Sequence, residues 1–146
     1  MLNKKVLDII TESKGDILDI GYGWGISSNY FYTKQINSLT IIEKRKDVYK
    51  KALVWAADKP NVHIYLGDWI DIIPSLDKKF DGIYMDTISP EDENFSNSKT
   101  KEEYEKLWNF YHTPISEQEW NKYKSFENHA KTIAKENCAL CIFQYT

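Results

Sequence analysis

Residues 17–28 read ILDIGYGWGISS. A short β-branched run ends at Ile20, and Gly21, Gly23 and Gly25 follow at alternate positions in a chain with six glycines among 146 residues. Glycine accepts left-handed backbone and puts no Cβ in the way of a neighbour. Gly21 would permit a tight turn, Gly23 would let the backbone lie against a ligand, and Gly25 would let a following helix pack closely with its first N–H groups facing that ligand. An acid, Glu43, stands 22 residues beyond Gly21, at the end of the next β-branched run. From there a carboxylate can accept hydrogen bonds from both hydroxyls of a ribose. Taken singly, the glycines also suit a plain structural turn, and Glu43 a solvated strand end. Their order (strand, bend, helix, strand, acid) points to a nucleoside site.

The bend does not suit every nucleoside. A dinucleotide fingerprint would place its third glycine at position 26, which is Ile26. No lysine follows a G-x-x-x-x-G, so there is no phosphate-gripping P-loop. Asp19, two residues before Gly21, could meet an ammonium group directly or through water. S-adenosylmethionine offers an ammonium, a ribose and an adenine without phosphate. The pattern D-I-G-Y-G-W-G with an acid after the second strand resembles the class I S-adenosylmethionine-dependent methyltransferases. That resemblance implies a cofactor set of Asp19, Gly21, Tyr22, Gly23, Gly25, Glu43 and Lys44. To it belong Gly67, Asp68 and Trp69 after the third strand, with Asp68 on the adenine amino group and Trp69 over the ring. The plainer alternative for that pair is a helix-capping Asp68 followed by a core Trp69.

The segment LGDWIDIIPSLDKKFDGIYMDTI narrows the likeness. Gly67-Asp68-Trp69, then Pro74-Ser75-Leu76, then Phe80 through Thr87 (F-D-G-I-Y-M-D-T) resemble guanidinoacetate N-methyltransferase and its arginine N-methyltransferase relatives. So do S-E-Q-E-W at 116–120, Phe126 and Asn128-His129-Ala130. The resemblance covers nearly the whole chain except about 88–113. It implies that Asp86 grips a guanidinium and accepts its proton, with Thr87, Tyr145 and Thr146 also on the substrate side. The chemistry agrees. Methyl transfer needs a nitrogen lone pair, and a guanidinium behaving like arginine keeps its proton to above about pH 12. A carboxylate at the tip of the fourth strand can both hold it and deprotonate it. Turn capping is the bland alternative for Asp86. The Asn/Asp-Pro-Pro-aromatic of adenine-N6 enzymes is absent at Met85-Asp86-Thr87-Ile88.

Apolar spacing predicts helices over 6–10, 26–35, 47–58, 69–76 and 116–135, with a further short one over 101–110, and strands over 17–20, 39–42, 62–66, 80–85 and 138–145. Ser116 and Glu119 have capping-box spacing. Alternating strands and helices mean a Rossmann-like α/β fold. We expect a parallel sheet of order 3-2-1-4-5 with helices on both faces, a shortened class I methyltransferase fold. One domain, 1–146, with a rim insertion at about 88–113 is expected from length and pattern.

The hydrophobic fraction is 42%, the aromatic fraction 14% and the net charge −3. These values fit a globular domain and argue against gripping nucleic acid through its backbone. No apolar run approaches a membrane span and no signal peptide opens the chain, so a cytoplasmic protein with a small-molecule substrate is expected. Cys138 and Cys141 would point to opposite faces of a strand and read as core residues. His63 and His112 lack partners at metal-ligand spacing, so no metal is expected. Trp55, Trp108 and Trp120 read as core, and His129 as a packing residue.

Two departures from the family pattern bear on function. The family's second carboxylate precedes the first strand, where this chain offers Asp8, Glu12 and Asp16 in no matching context; Glu91, Asp92 and Glu93 follow Asp86 in a polar stretch. The family also adds strands beyond the fifth, where this sequence ends at Thr146. The fifth strand is thus expected to be an open edge through which copies could associate. Besides a small guanidino or amine substrate, two functions stay open: a non-catalytic S-adenosylmethionine-binding subunit, and methylation of arginine in a protein.

Overall fold

The computed structural model describes residues 4–85 and 117–142. The expected insertion at 88–113 lies outside them, as do the short helix at 101–110, Asp86, Thr87, Glu91, Asp92, Glu93, Trp108, His112, Ser116, Tyr145 and Thr146. In chain order the elements are α1 (Lys4–Ile10), β1 (Asp16–Ile20), α2 (Ile26–Tyr32), β2 (Ser38–Glu43), α3 (Lys46–Ala56) and β3 (Val62–Leu66). Then come α4 (Trp69–Ile72), a 3-10 turn (Ile73–Ser75), β4 (Phe80–Met85), α5 (Glu117–Ile133) and β5 (Ala134–Ile142). All strand pairings are parallel, in the order β3-β2-β1-β4-β5. That is the expected sheet.

A parallel sheet is covered on both faces, so neighbouring residues of a strand enter different cores. Ile17 packs with Leu39, Ile41 and Tyr84 under Leu7, Ile10, Phe31, Val48 and Ala52 of α1, α2 and α3. Leu18 and Ile20 pack with Ile42, Ile83 and Met85 under Trp69, Ile73, Phe126, Ala130 and Ile133. Cys141 joins the first layer and Cys138 the second, as their strand spacing requires.

Gly82 of β4 shows why a motif glycine stands where it does. A Cβ built there would collide with the carbonyl oxygen of Ile10 and lie 2.9 Å from that residue's Cγ2. The end of α1 therefore rests on the strand itself. We expect Gly82→Ala to destabilise the fold by about 2–3 kcal/mol through overpacking, read as a lower urea midpoint at unchanged slope.

Three boundaries differ from expectation by more than two residues. The helix expected over 69–76 turns 3-10 at Ile73, because Pro74 has no N–H to continue the α-helical ladder. The helix expected over 26–35 ends at Tyr32, and Gln35 turns left-handed at φ +58°. The last strand begins at Ala134, four residues before position 138, with a register shift between Phe80 and Gly82 on its partner. Pairing and burial account for that early start, since Ala134 stands opposite Phe80 and packs against the second layer beside Ile133. Lys135 Nζ lies 2.9 Å from Asp81 Oδ2 and 3.3 Å from Asp16 Oδ2, linking β5 to β4 and β1 within the first two residues of each strand. Burial pushes the Asp16 carboxyl up, but hydrogen bonds from Ser38, Asn37 and Lys135 outweigh it and hold the group well below the usual carboxylate range.

Candidate active site

The site forms where β1, β2 and β3 end. After Ile20 the backbone bends through Gly21 (φ +91°), Gly23 (φ +55°) and Gly25 (φ +79°), the left-handed region where a side chain is strained. Gly21 N–H donates to the Ile42 carbonyl at 2.8 Å and Gly25 N–H to the Tyr22 carbonyl at 2.8 Å. Beside Gly25 a Cβ would lie 2.5 Å from the Tyr22 hydroxyl. Tyr22 is turned inward, with its ring 5.8 Å from that of Trp55 on α3. Burial, and after it the charge of Asp19, pushes its phenol pKa up. Gly23 differs: a Cβ there would meet nothing within 4 Å. The outer side of the bend is therefore bare, open backbone, with Trp24 exposed beside it.

Glu43 closes β2 and is only 7% exposed. Its Oε2 accepts the Lys44 N–H at 2.9 Å. Burial raises its pKa above the ordinary 4.5, while the N–H groups of Lys44, Gly23 and Arg45 pull it down. The Gly23 N–H among them places the carboxylate against the bend. The Glu43 carbonyl in turn accepts the Gly67 N–H at 2.9 Å, which brings the loop after β3 to the same place.

Asp68 caps α4, accepting the Ile70 N–H at 3.3 Å, and Lys44 Nζ stands 3.6 Å from its Oδ2. Trp69 is 5% exposed, with its ring 5.0 Å from Phe126 and 5.4 Å from His129, both edge-on. The cap and the core ring are the plainer alternative stated for this pair. Asp68 remains at the rim, whereas Trp69 is committed to the layer under α5. Asp19 is likewise interior, at 0% exposure, with its Oδ2 accepting hydroxyls from Ser27 at 2.9 Å and Ser28 at 2.6 Å. The two serines link it to the helix that follows the bend. Neither serine is among the cofactor-side residues expected from the sequence. Hydroxyls eight and nine residues beyond a strand acid were the available signal.

Of the acids before β1, Asp8 accepts from the Tyr30 hydroxyl at 2.7 Å and pairs with Lys34 at 2.8 Å. Asp16 opens β1, at the far end of the sheet from the bend. Neither lies where it could share a guanidinium with a residue following β4. Among the described residues no cluster of His, Cys, Asp or Glu could hold a metal, and no helix is long and apolar enough to cross a membrane.

The bare bend and the buried acid facing it suit a ribose-bearing cofactor without phosphate. With the 3-2-1-4-5 sheet, they define the class I methyltransferase fold. The protein-family model for guanidinoacetate N-methyltransferase matches residues 3–106, and the chain belongs to that family. Protein arginine N-methyltransferase 2 of Yarrowia lipolytica is 38% identical over 91 residues, covering 58% of this chain and 18% of that protein. Its counterpart from Emericella nidulans is 31% identical over 105 residues, covering 65% and 24%. The chain thus spans about a fifth to a quarter of the length of these relatives. Among solved structures, the Trypanosoma brucei PRMT1 enzyme–prozyme heterotetrameric complex with AdoHcy superposes with a TM-score of 0.55 at 15% identity. That alignment covers 94% of this chain and 37% of the other.

Proposed function

We propose that this chain transfers a methyl group from S-adenosylmethionine to a guanidino nitrogen. The observation that carries the reading is Glu43, a nearly buried carboxylate aimed across the β2 terminus at Gly23 of an open, Cβ-free bend. Burial disfavours a carboxylate's charge, and groups perturbed in this way cluster at functional sites. In this reading Glu43 takes the ribose hydroxyls, Gly21, Gly23 and Gly25 form the seat, and Asp68 with Lys44 borders the adenine side. When bound, the cofactor supplies an electrophilic methyl on sulfur. Asp86, directly after Met85 of β4, holds the guanidinium and takes the proton released as the N–C bond forms and the C–S bond breaks. Met85 pairs with Ile20, the residue before the bend, so acceptor and donor sides share one edge of the sheet.

The matched family is named for guanidinoacetate, which favours a small guanidino acid as acceptor. A second reading, arginine in a protein, is favoured by relatives named as protein arginine N-methyltransferases. Tritiated cofactor offered with guanidinoacetate, free arginine, amines and arginine peptides decides between them. We expect label on a guanidino nitrogen, on guanidinoacetate in the first reading and on peptides alone in the second. Cofactor binding without label transfer to any acceptor would leave a binding subunit and end the catalytic proposal.

A further inference from the structure

We infer that Ser27 and Ser28 are positioning residues for cofactor binding, acting through Asp19; this rests on the bend being the cofactor seat. Both hydroxyls donate to one oxygen, Oδ2 of Asp19, at 2.9 and 2.6 Å. Consecutive residues on a helix do not normally face a common point. Here they converge because the helix starts directly above the end of β1, and a fully buried carboxylate must be solvated by donors that the fold supplies. Bonds of this kind to a charged acceptor are short and strong.

The position of this fork gives it its function. Asp19 sits one residue before the last of β1, and the serines are the second and third residues of α2. Between these anchors lie Gly21, Gly23 and Gly25, all at positive φ, where no side chain restricts the backbone. The α2 N-cap is Gly25, which supplies no side-chain hydrogen bond of its own. The fork is thus a side-chain link between the first turn of α2 and β1 where the cap residue supplies none. It pins the first turn of α2 to β1 and fixes the width of the bend. A ligand-binding backbone loosened by about 1 Å loses much of its affinity even when every contacting residue is present.

The test uses the full chain with Ser28→Ala, Ser27→Ala and the hydroxyl-retaining Ser27→Thr, since position 27 is only half-buried. Calorimetry with S-adenosylhomocysteine should show affinity about tenfold weaker for Ser28→Ala, several-fold weaker for Ser27→Ala and near wild type for Ser27→Thr. Amide hydrogen exchange should accelerate at residues 21–25 and stay unchanged in β2, which a general loss of stability would not produce. Alanine variants that bind as wild type does, or exchange that rises evenly through the sheet, would overturn the fork. Wild-type protein that fails to bind S-adenosylhomocysteine would instead overturn the reading of the seat beneath it.

Discussion

Replacing Glu43 by alanine should weaken binding of S-adenosylhomocysteine by about tenfold to somewhat over a hundredfold, corresponding to about 1.5–3 kcal/mol for lost hydrogen bonds to a charged acceptor. Calorimetric titration measures it, and unchanged affinity would remove Glu43 from the site. The same residue sets a pH dependence. Burial raises its pKa above 4.5, and ribose recognition uses the ionised form, so affinity should fall with decreasing pH earlier than an exposed glutamate would allow. Stability runs the other way. A carboxyl whose folded-state pKa exceeds its unfolded one contributes most when protonated, below the unfolded value, and that contribution is lost as pH rises through the folded value. At neutral pH the ligand-free protein therefore carries Glu43 at a disadvantage. Glu43→Gln, which keeps the shape and removes the charge, should melt no earlier than wild type at pH 7 while binding the cofactor poorly. A variant that both melts early and binds poorly would mark Glu43 as a structural group.

How far the sequence already contains this arrangement depends on the range of the forces involved. β1, β2 and β4 are buried on both faces, so they read directly as runs such as Ile17–Leu18 and Ile41–Ile42. The glycines and Glu43 were legible for a similar reason: backbone conformation and strand-end position are local properties, expressed within a few residues. Residues 134–137, A-K-E-N, look helical in isolation. Their strand conformation comes from pairing with β4, whose Phe80 stands opposite Ala134 and lies far away in the chain. Trp69 illustrates the same limit. Whether it faces a ligand or the core is decided by Phe126 and His129 on α5. The role of Asp19 was only half legible, since an acid before a glycine bend is visible and the hydroxyls that enclose it are a matter of three-dimensional fit.

Asp86→Asn should leave affinity for S-adenosylhomocysteine within about twofold of wild type and lower turnover by about 10²- to 10⁴-fold, the range for losing a positioned proton acceptor. The substitution is close to isosteric and keeps one oxygen able to accept a guanidinium hydrogen bond, but the amide can neither balance the positive charge nor take the proton. Since the guanidinium holds that proton to above about pH 12, raising the pH from 7 to 9 should not rescue the variant. In the proposed assignment binding and chemistry separate because the two acids belong to different strands: Glu43 ends β2, on one side of β1, and Asp86 comes next in sequence after β4, on the other. The two variants should therefore fail in opposite ways, Glu43→Ala being restored toward wild-type turnover by excess cofactor and Asp86→Asn not at all. Turnover by Asp86→Asn at the wild-type rate would end the assignment of Asp86. An acid that no excess of cofactor can replace is one that acts after the cofactor is seated.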